Sequence, residues 1–167
     1  MVADVPLRVP AHQVDPAARW LWAAEGLLTT VVVTGAWLVA WLTSRGHAGH
    51  GWVVLAGAVA VPLVALVAIG VQPLWRYRVH RWEVTDEAVY TLVGWLTRTW
   101  RIVPIARIQT VDTRSGPVQQ LLGLTTVIIR TASHAGSTEV EHLAAGTAGA
   151  VAHDLALRAN AVRDEVT

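Results

Sequence analysis

The sequence predicts a membrane-anchored α+β protein: a two-helix transmembrane hairpin, then a small antiparallel β-barrel or sandwich closed by a C-terminal α-helix. Three observations carry this expectation. Trp52–Val71 (WVVLAGAVAVPLVALVAIGV) is a run of twenty residues without a charge. Trp20–Leu42 is nearly as apolar, and Glu25 is its one charge. From Trp82 onward charges return, and apolar residues alternate with polar ones at the two-residue period of strands.

At about 1.5 Å rise per residue, the uncharged run makes a helix about 30 Å long, the thickness of a bilayer's hydrocarbon core. A soluble core helix of that length shows polar residues every three or four positions. A chain of 167 residues is also too small to bury so apolar a cylinder on all sides. The spans are therefore placed at 20–42 and 52–71. Between them Thr43–Gly51 (TSRGHAGHG) is short and rich in Gly, so it folds the spans back as an antiparallel hairpin. Glu25 lies near the start of its span, within reach of the headgroups, and a lone carboxylate there makes a poor proton relay.

Orientation follows from arginine placement. Arg8, Arg19, Arg76, Arg78 and Arg81 stand on the terminal side, and only Arg45 lies in the connecting loop. The positive-inside rule puts both termini in the cytoplasm. Trp20, Trp22, Trp41, Trp52 and Trp75 fall near span ends, where an indole keeps its ring apolar and its N–H wet. Thr30 and Thr34 share one face of the first span, and Ala58, Ala65 and Ala68 one face of the second. Such small-residue faces are expected to meet each other or another protein's spans. Pro62 is expected to kink the second span.

Composition removes several classes of function. The net charge is +1, which gives no pull toward nucleic acid, and all thirteen basic residues are Arg. The absence of Cys excludes disulfides, thiolate metal sites and a cysteine nucleophile.

Along the chain, residues 1–19 carry Pro6, Pro10 and Pro16 and read as a solvated cytoplasmic arm, with docking against the cytoplasmic domain as the alternative. Gln72-Pro73 ends the second span. Trp75, Arg76, Arg78 and Arg81 then stand at the membrane surface as candidate lipid-headgroup contacts. A domain over 72–167 follows. Trp82–Val93 reads as strand, Asp-Glu turn, strand; Thr97–Val103 as a strand stopped by Pro104; Ile105–Arg107 as a turn of helix. Gln109–Ser115 alternates with Val111 inward, and Gly116-Pro117 breaks it. Val118–Gly123 is a helical turn, Leu124–Thr131 a buried strand, Ala132–Gly136 a turn and Thr138–Leu143 the last strand. Ala148, Val151, Ala152, Leu155, Ala159 and Val162 then form one stripe of a 3.6-residue period. Thr147 is the expected N-cap, and Asp154 with Arg158 an i,i+4 ion pair.

No chemistry stands out. His47 and His50 share the loop without a carboxylate, Ser133-His134 lies in a turn without a nucleophile-elbow context, and no glycine-rich phosphate cradle is present. Glu139 and Glu141 fall on one strand face without an acid/base partner. The expectation is a protein that is not an enzyme, with no cofactor, metal, nucleic acid or small-molecule substrate.

Trp82-Glu83-Val84-Thr85, Gly94, IVPIARIQTVD (Ile102–Asp112), LLGL (Leu121–Leu124) and VIIRTAS (Val127–Ser133) together resemble the bacterial pleckstrin-homology domain of the YdbS-like, membrane-flanked type. The resemblance covers all but the N-terminal arm. It implies a pleckstrin-homology-like barrel of two sheets, plugged by the C-terminal helix, in a bacterial plasma membrane. It gives Pro104, Arg107, Ile108, Gln109, Gly123 and Leu124 structural roles. Pro104 ends an edge strand, Arg107 covers a sheet edge or pairs with a carboxylate, and Gly123 allows a tight turn into the strand from Leu124. Eukaryotic relatives that bind phosphoinositides use basic residues at the first strand-to-strand turn. Here Thr85-Asp86-Glu87 takes that place and is acidic, so no such pocket is expected there. The resulting expectation is a membrane-anchored interaction or scaffold module. Its partners are membrane lipids and another membrane protein with similar domains, or itself. Anionic-lipid binding or envelope sensing, and service as an accessory subunit of a larger membrane complex, are the alternatives.

Overall fold

His12–Gln13, ahead of both apolar runs, forms a strand, and this fixes the topology. The strand (β1) pairs antiparallel with β2 (Arg81–Val84), setting His12 opposite Trp82 and Gln13 opposite Arg81. The computed structural model describes residues 8–131 and 137–165, with side chains through Val162. By internal contacts the chain divides into a helical unit, Arg19–Trp75, and a mixed unit made of the chain through Ala18 and from Arg76 onward.

From Arg8 onward the arm is therefore not a solvated tail, which corrects the reading of 1–19 as a separate element over the described residues. Pro10 and Val14 are buried. Glu83 on β2 is also buried; one carboxylate oxygen accepts from the Arg8 guanidinium and the other from the Ala11 N–H at 3.0 Å. Trp82 Nε1–H donates to the Gln13 carbonyl at 3.2 Å, and the His12 and Trp82 rings lie 5.1 Å apart. A two-residue strand has no period to read, so its partners identify it only after folding. In sequence, the hairpin is an insertion between β1 and β2.

In the helical unit, α1 (Ala18–Ser44) runs for 27 residues and α2 (His50–Ala65) returns. α1 and the continuous helical stretch His50–Val79 are each long and apolar enough to cross a membrane, and little of either is buried; the second runs past Gln72-Pro73, its expected end. The two helical segments approach closely at two points, and of the small residues expected to meet only Ala68 takes part. A Cβ on Gly26 would collide with the Ala68 carbonyl, and one on Gly57 with the Trp37 indole, so each glycine permits a close approach. Trp37 Nε1–H also donates to the Val53 carbonyl at 2.9 Å. Thr30 and Thr34 turn their hydroxyls onto the carbonyls one turn back, those of Gly26 and Thr30. The helix continues through Pro62 and leaves α geometry later, in a π-helical stretch, Leu66–Val71, before α3 (Gln72–Val79). The Gln72 N–H donates to Val67, five residues back.

The mixed unit adds β3 (Ala88–Gly94), β4 (Arg98–Pro104), β5 (Ile108–Arg114), α4 (Pro117–Leu121), β6 (Leu124–Thr131), β7 (Ser137–Ala144) and α5 (Ala145–Glu165). One sheet runs β1-β2-β3-β4 and the other β5-β6-β7, all antiparallel neighbours. Val89 and Val103 of the first sheet and Val127, Ile129 and Val140 of the second meet Ala148, Leu155 and Ala159 of α5 in one core. The stripe read from the tail is thus the face that closes the sandwich. Each such aliphatic side chain, fully buried, contributes about 1.5–3 kcal/mol. Thr147 sits inside α5 and does not cap it, because the helix starts at Ala145 directly from β7. The Ala132–Gly136 turn and Ser133-His134 lie outside the described residues.

Candidate functional site

Two buried histidines of the mixed unit, His80 and His142, lie close to where its chain runs into the helical segments, at Asp15–Ala18 and at Arg76–His80. Their organiser is a β-bulge. Val127 pairs with Val140 and Thr125 with Leu143, so β7 carries one residue more than β6 across Glu141-His142. His142 takes φ 57°, the left-handed region that histidine enters more readily than most side chains. A bulge of this kind re-aims a side chain. Here the His142 carbonyl accepts the Asp15 N–H at 3.0 Å, fastening the arm to β7.

The imidazole is buried and meets α4 and a neighbour on its own strand. Its Nδ1 lies 3.1 Å from Gln119 Nε2, a donor on α4, so Nδ1 accepts and Nε2 carries the hydrogen. That Nε2 lies 3.7 Å from a Glu141 carboxylate oxygen. Burial, and secondarily the Arg76 charge, lower the His142 pKa to about 4, so the ring is neutral at physiological pH. His80 is also buried. Its N–H and Nδ1 both reach the Arg76 carbonyl at 2.8 Å. Burial lowers its pKa as well, with Arg76 adding in the same sense and the backbone bond and Glu141 opposing.

Gln119 links α4 to this cluster. Its Oε1 accepts the Gly116 N–H at 2.9 Å, and its Nε2 also donates to Thr126 Oγ1 at 3.2 Å. Gly123 follows α4 at φ +67°, where a side chain is strained; its N–H bonds Gln120 at 3.1 Å and its carbonyl takes the Ala145 N–H at 2.9 Å. Leu124 begins β6 and is buried.

The four candidate headgroup residues do not act alike. Arg78 is exposed, whereas Arg76 is half-buried. Arg81 turns to the arm, its Nη1 3.4 Å from the Pro10 carbonyl. Trp75 is exposed in α3. Among the motif residues, Pro104 ends β4, the edge strand of its sheet. Arg107 closes a short 3-10 turn, is exposed, and pairs with no carboxylate among the described residues. Ile108 is in the core, and Gln109 lies exposed beside Arg114, Arg130 and Glu139 on the second sheet.

Two sequence expectations change. The acidic Asp86-Glu87 turn joins β2 to β3, not the first two strands; the β1–β2 connection holds the apolar helical hairpin. Asp86 binds Arg158 at 2.6 Å, and Arg158 holds Asp154 at 2.9 Å, so the i,i+4 pair is part of a triad. In the helical unit's loop, His50 Nδ1 lies 3.0 Å from Ser44 Oγ. No group of three metal-ligating side chains occurs among the described residues. The Arg76–His80–His142–Gln119 cluster went unread because its members come from three distant segments, none patterned; the bulge that joins them is a property of the sheet.

The family model described as "Bacterial PH domain" matches residues 11–159, a span that opens just ahead of β1. The UPF0699 transmembrane protein YdbS of Bacillus subtilis (strain 168) is 31% identical over 125 residues, covering 74% of this chain and 78% of that protein. No solved structure matches. With a family match over most of its length and two helices able to span a bilayer, this chain is a membrane protein of the bacterial PH-domain family, of the YdbS-like kind.

Proposed function

We propose that the protein is a non-enzymatic, membrane-anchored interaction module of the bacterial plasma membrane. Both spans cross, and both termini and the PH domain face the cytoplasm, where the domain binds another membrane protein with a similar domain or a second copy of itself. The observation that carries this reading is β4. It is a seven-residue edge strand whose far side pairs with no other described strand, and Ile102 is 42% exposed on it beside Arg101. An edge of that length offers a row of backbone donors and acceptors, which are normally paired or guarded. The orientation rests on the arginine asymmetry already given. A photo-crosslinker at Ile102 in the full chain, activated in native membranes, is expected to capture one discrete protein partner or the chain itself. Adducts with lipid or with no protein refute the reading.

A second reading, anionic-lipid binding, is favoured by Arg78, exposed at the end of the β1–β2 connection. Arg78→Glu in full-length protein is expected to lower the enrichment of phosphatidylglycerol around it relative to a zwitterionic lipid. Unchanged enrichment rejects this role.

A further inference from the structure

We propose that α4 is a third membrane contact: a short interfacial wedge that lays Val118 and Leu121 into the headgroup–acyl boundary of the bilayer that anchors the chain. α4 sends one of its two glutamines inward and leaves both of its apolar side chains out. Gln119 points inward onto Thr126 and His142, while Gln120 is exposed, as are Leu121 at 86% and Val118 at 47%. Three positions apart, those two apolar side chains share one face. A surface turn in water puts the leucine in, so a turn with both apolar side chains out marks a surface that meets something other than water.

What it meets is argued from where the chain leaves the mixed unit. The unit continues into the apolar helices at Ala18 and at Arg76. Both exits lie beside the His142 bulge: Asp15 donates to the His142 carbonyl, and His80, four residues past Arg76, lines one small cavity with Val14 and with Glu141 next to His142. Gln119 of α4 bonds the same imidazole, and Leu121 stands two residues further on. α4 is therefore at the end of the mixed unit where both connections to the apolar helices begin, with exposed Arg78 on the same approach. An exposed leucine and valine beside a cationic residue suit the interfacial layer, which accepts apolar side chains at shallow depth and attracts positive charge. The occupant inferred is lipid. The inference rests on membrane anchoring and is independent of the partner-binding reading of β4.

The natural chain has no Cys, so a single introduced cysteine is unique. Leu121→Cys and Val118→Cys, both at exposed positions, are each labelled with an environment-sensitive fluorophore. Glu87→Cys in the β2–β3 turn is the control. The full-length variants are reconstituted in phosphatidylethanolamine–phosphatidylglycerol vesicles, with and without lipids carrying a nitroxide near the headgroup. The labels at 121 and 118 are expected to emit to the blue of the label at 87, to lose intensity with nitroxide lipid, and to resist aqueous iodide. Iodide quenching at 121 and 118 equal to that at 87 overturns the proposal. So does shielding from both quenchers, which puts protein in place of lipid and leaves the partner-binding reading standing.

Discussion

Glu83 holds the N-terminal arm to the domain, and Glu83→Ala is expected to release it. The carboxylate is 7% exposed and accepts from Arg8 and, at 3.0 Å, from the Ala11 N–H. A hydrogen bond to a buried charged acceptor contributes about 1.5–3 kcal/mol. The Arg8 side chain is 65% exposed, so its share is discounted to about 0.5 kcal/mol. At the lower end of that range the sum is about 2 kcal/mol, which multiplies the population of the detached arm by at least about 30. The assay is amide hydrogen exchange of full-length protein in micelles, read at Asp15. That N–H bonds His142 and does not touch Glu83, so it reports opening of the arm as a piece. Exchange at Asp15 is expected to quicken at least about 30-fold, with Glu83→Gln intermediate because one carbonyl oxygen remains to accept. Unchanged exchange at Asp15 shows that the arm is held residue by residue and refutes the reasoning.

Three further outcomes are expected. Gly26→Ala places a Cβ against the Ala68 carbonyl and lowers hairpin stability in micelles by about 1–3 kcal/mol, whereas Gly35→Ala, with open space around it, does not; equal melting temperatures count against the close approach. Gly123→Ala forces a side chain to φ +67° and costs about 1 kcal/mol, a fall in melting temperature of about 4–8 °C for a domain of this size. Because His142 titrates at about 4 when folded and near 6.5 when unfolded, only the unfolded chain takes up that proton between these values. Its contribution to stability is intact above pH 6.5 and falls by about 3 kcal/mol by pH 4, with His80 acting in the same direction. His142→Asn, which tolerates the left-handed backbone and does not titrate, is expected to flatten that part of the urea-unfolding profile; an unflattened profile assigns the pH dependence to the carboxylates.

What the residue pattern made legible was whatever repeats. Twenty uncharged residues, a strand alternation around Trp82–Val84 and the Ala148–Ala159 stripe each announce an element over several turns or pleats, and each is present in the fold. What it hid is set by single contacts between remote segments. His12–Gln13 is a strand only because β2 offers it an edge, and its loss from view shifted the numbering of every later strand and so misplaced the acidic turn. The inward turn of Gln119 in α4 is likewise invisible in PVQQL, since which of these side chains turns inward depends on Thr126 and His142 being there to receive it.

Placing the hairpin between β1 and β2 couples the membrane step to the folding of the domain. Joining two strands across a flexible connection as long as this one costs about 4 kcal/mol of closure entropy. The two helices approach closely at Gly26 and Ala68, near the start of one and the end of the other, so a formed hairpin holds the ends of the connection together. Most of the closure cost is then met by association of the helices, and β1 needs only the few contacts from Arg8, Ala11 and Asp15 to stay docked. A chain whose helices do not associate pairs β1 with β2 only at the full entropic cost and leaves Glu83 buried without its partners. Replacing 19–75 by a short glycine-serine linker restores proximity without a membrane. That chimera is expected to protect the Asp15 amide from exchange as the native protein does, whereas a fragment beginning at residue 72 lacks β1 altogether.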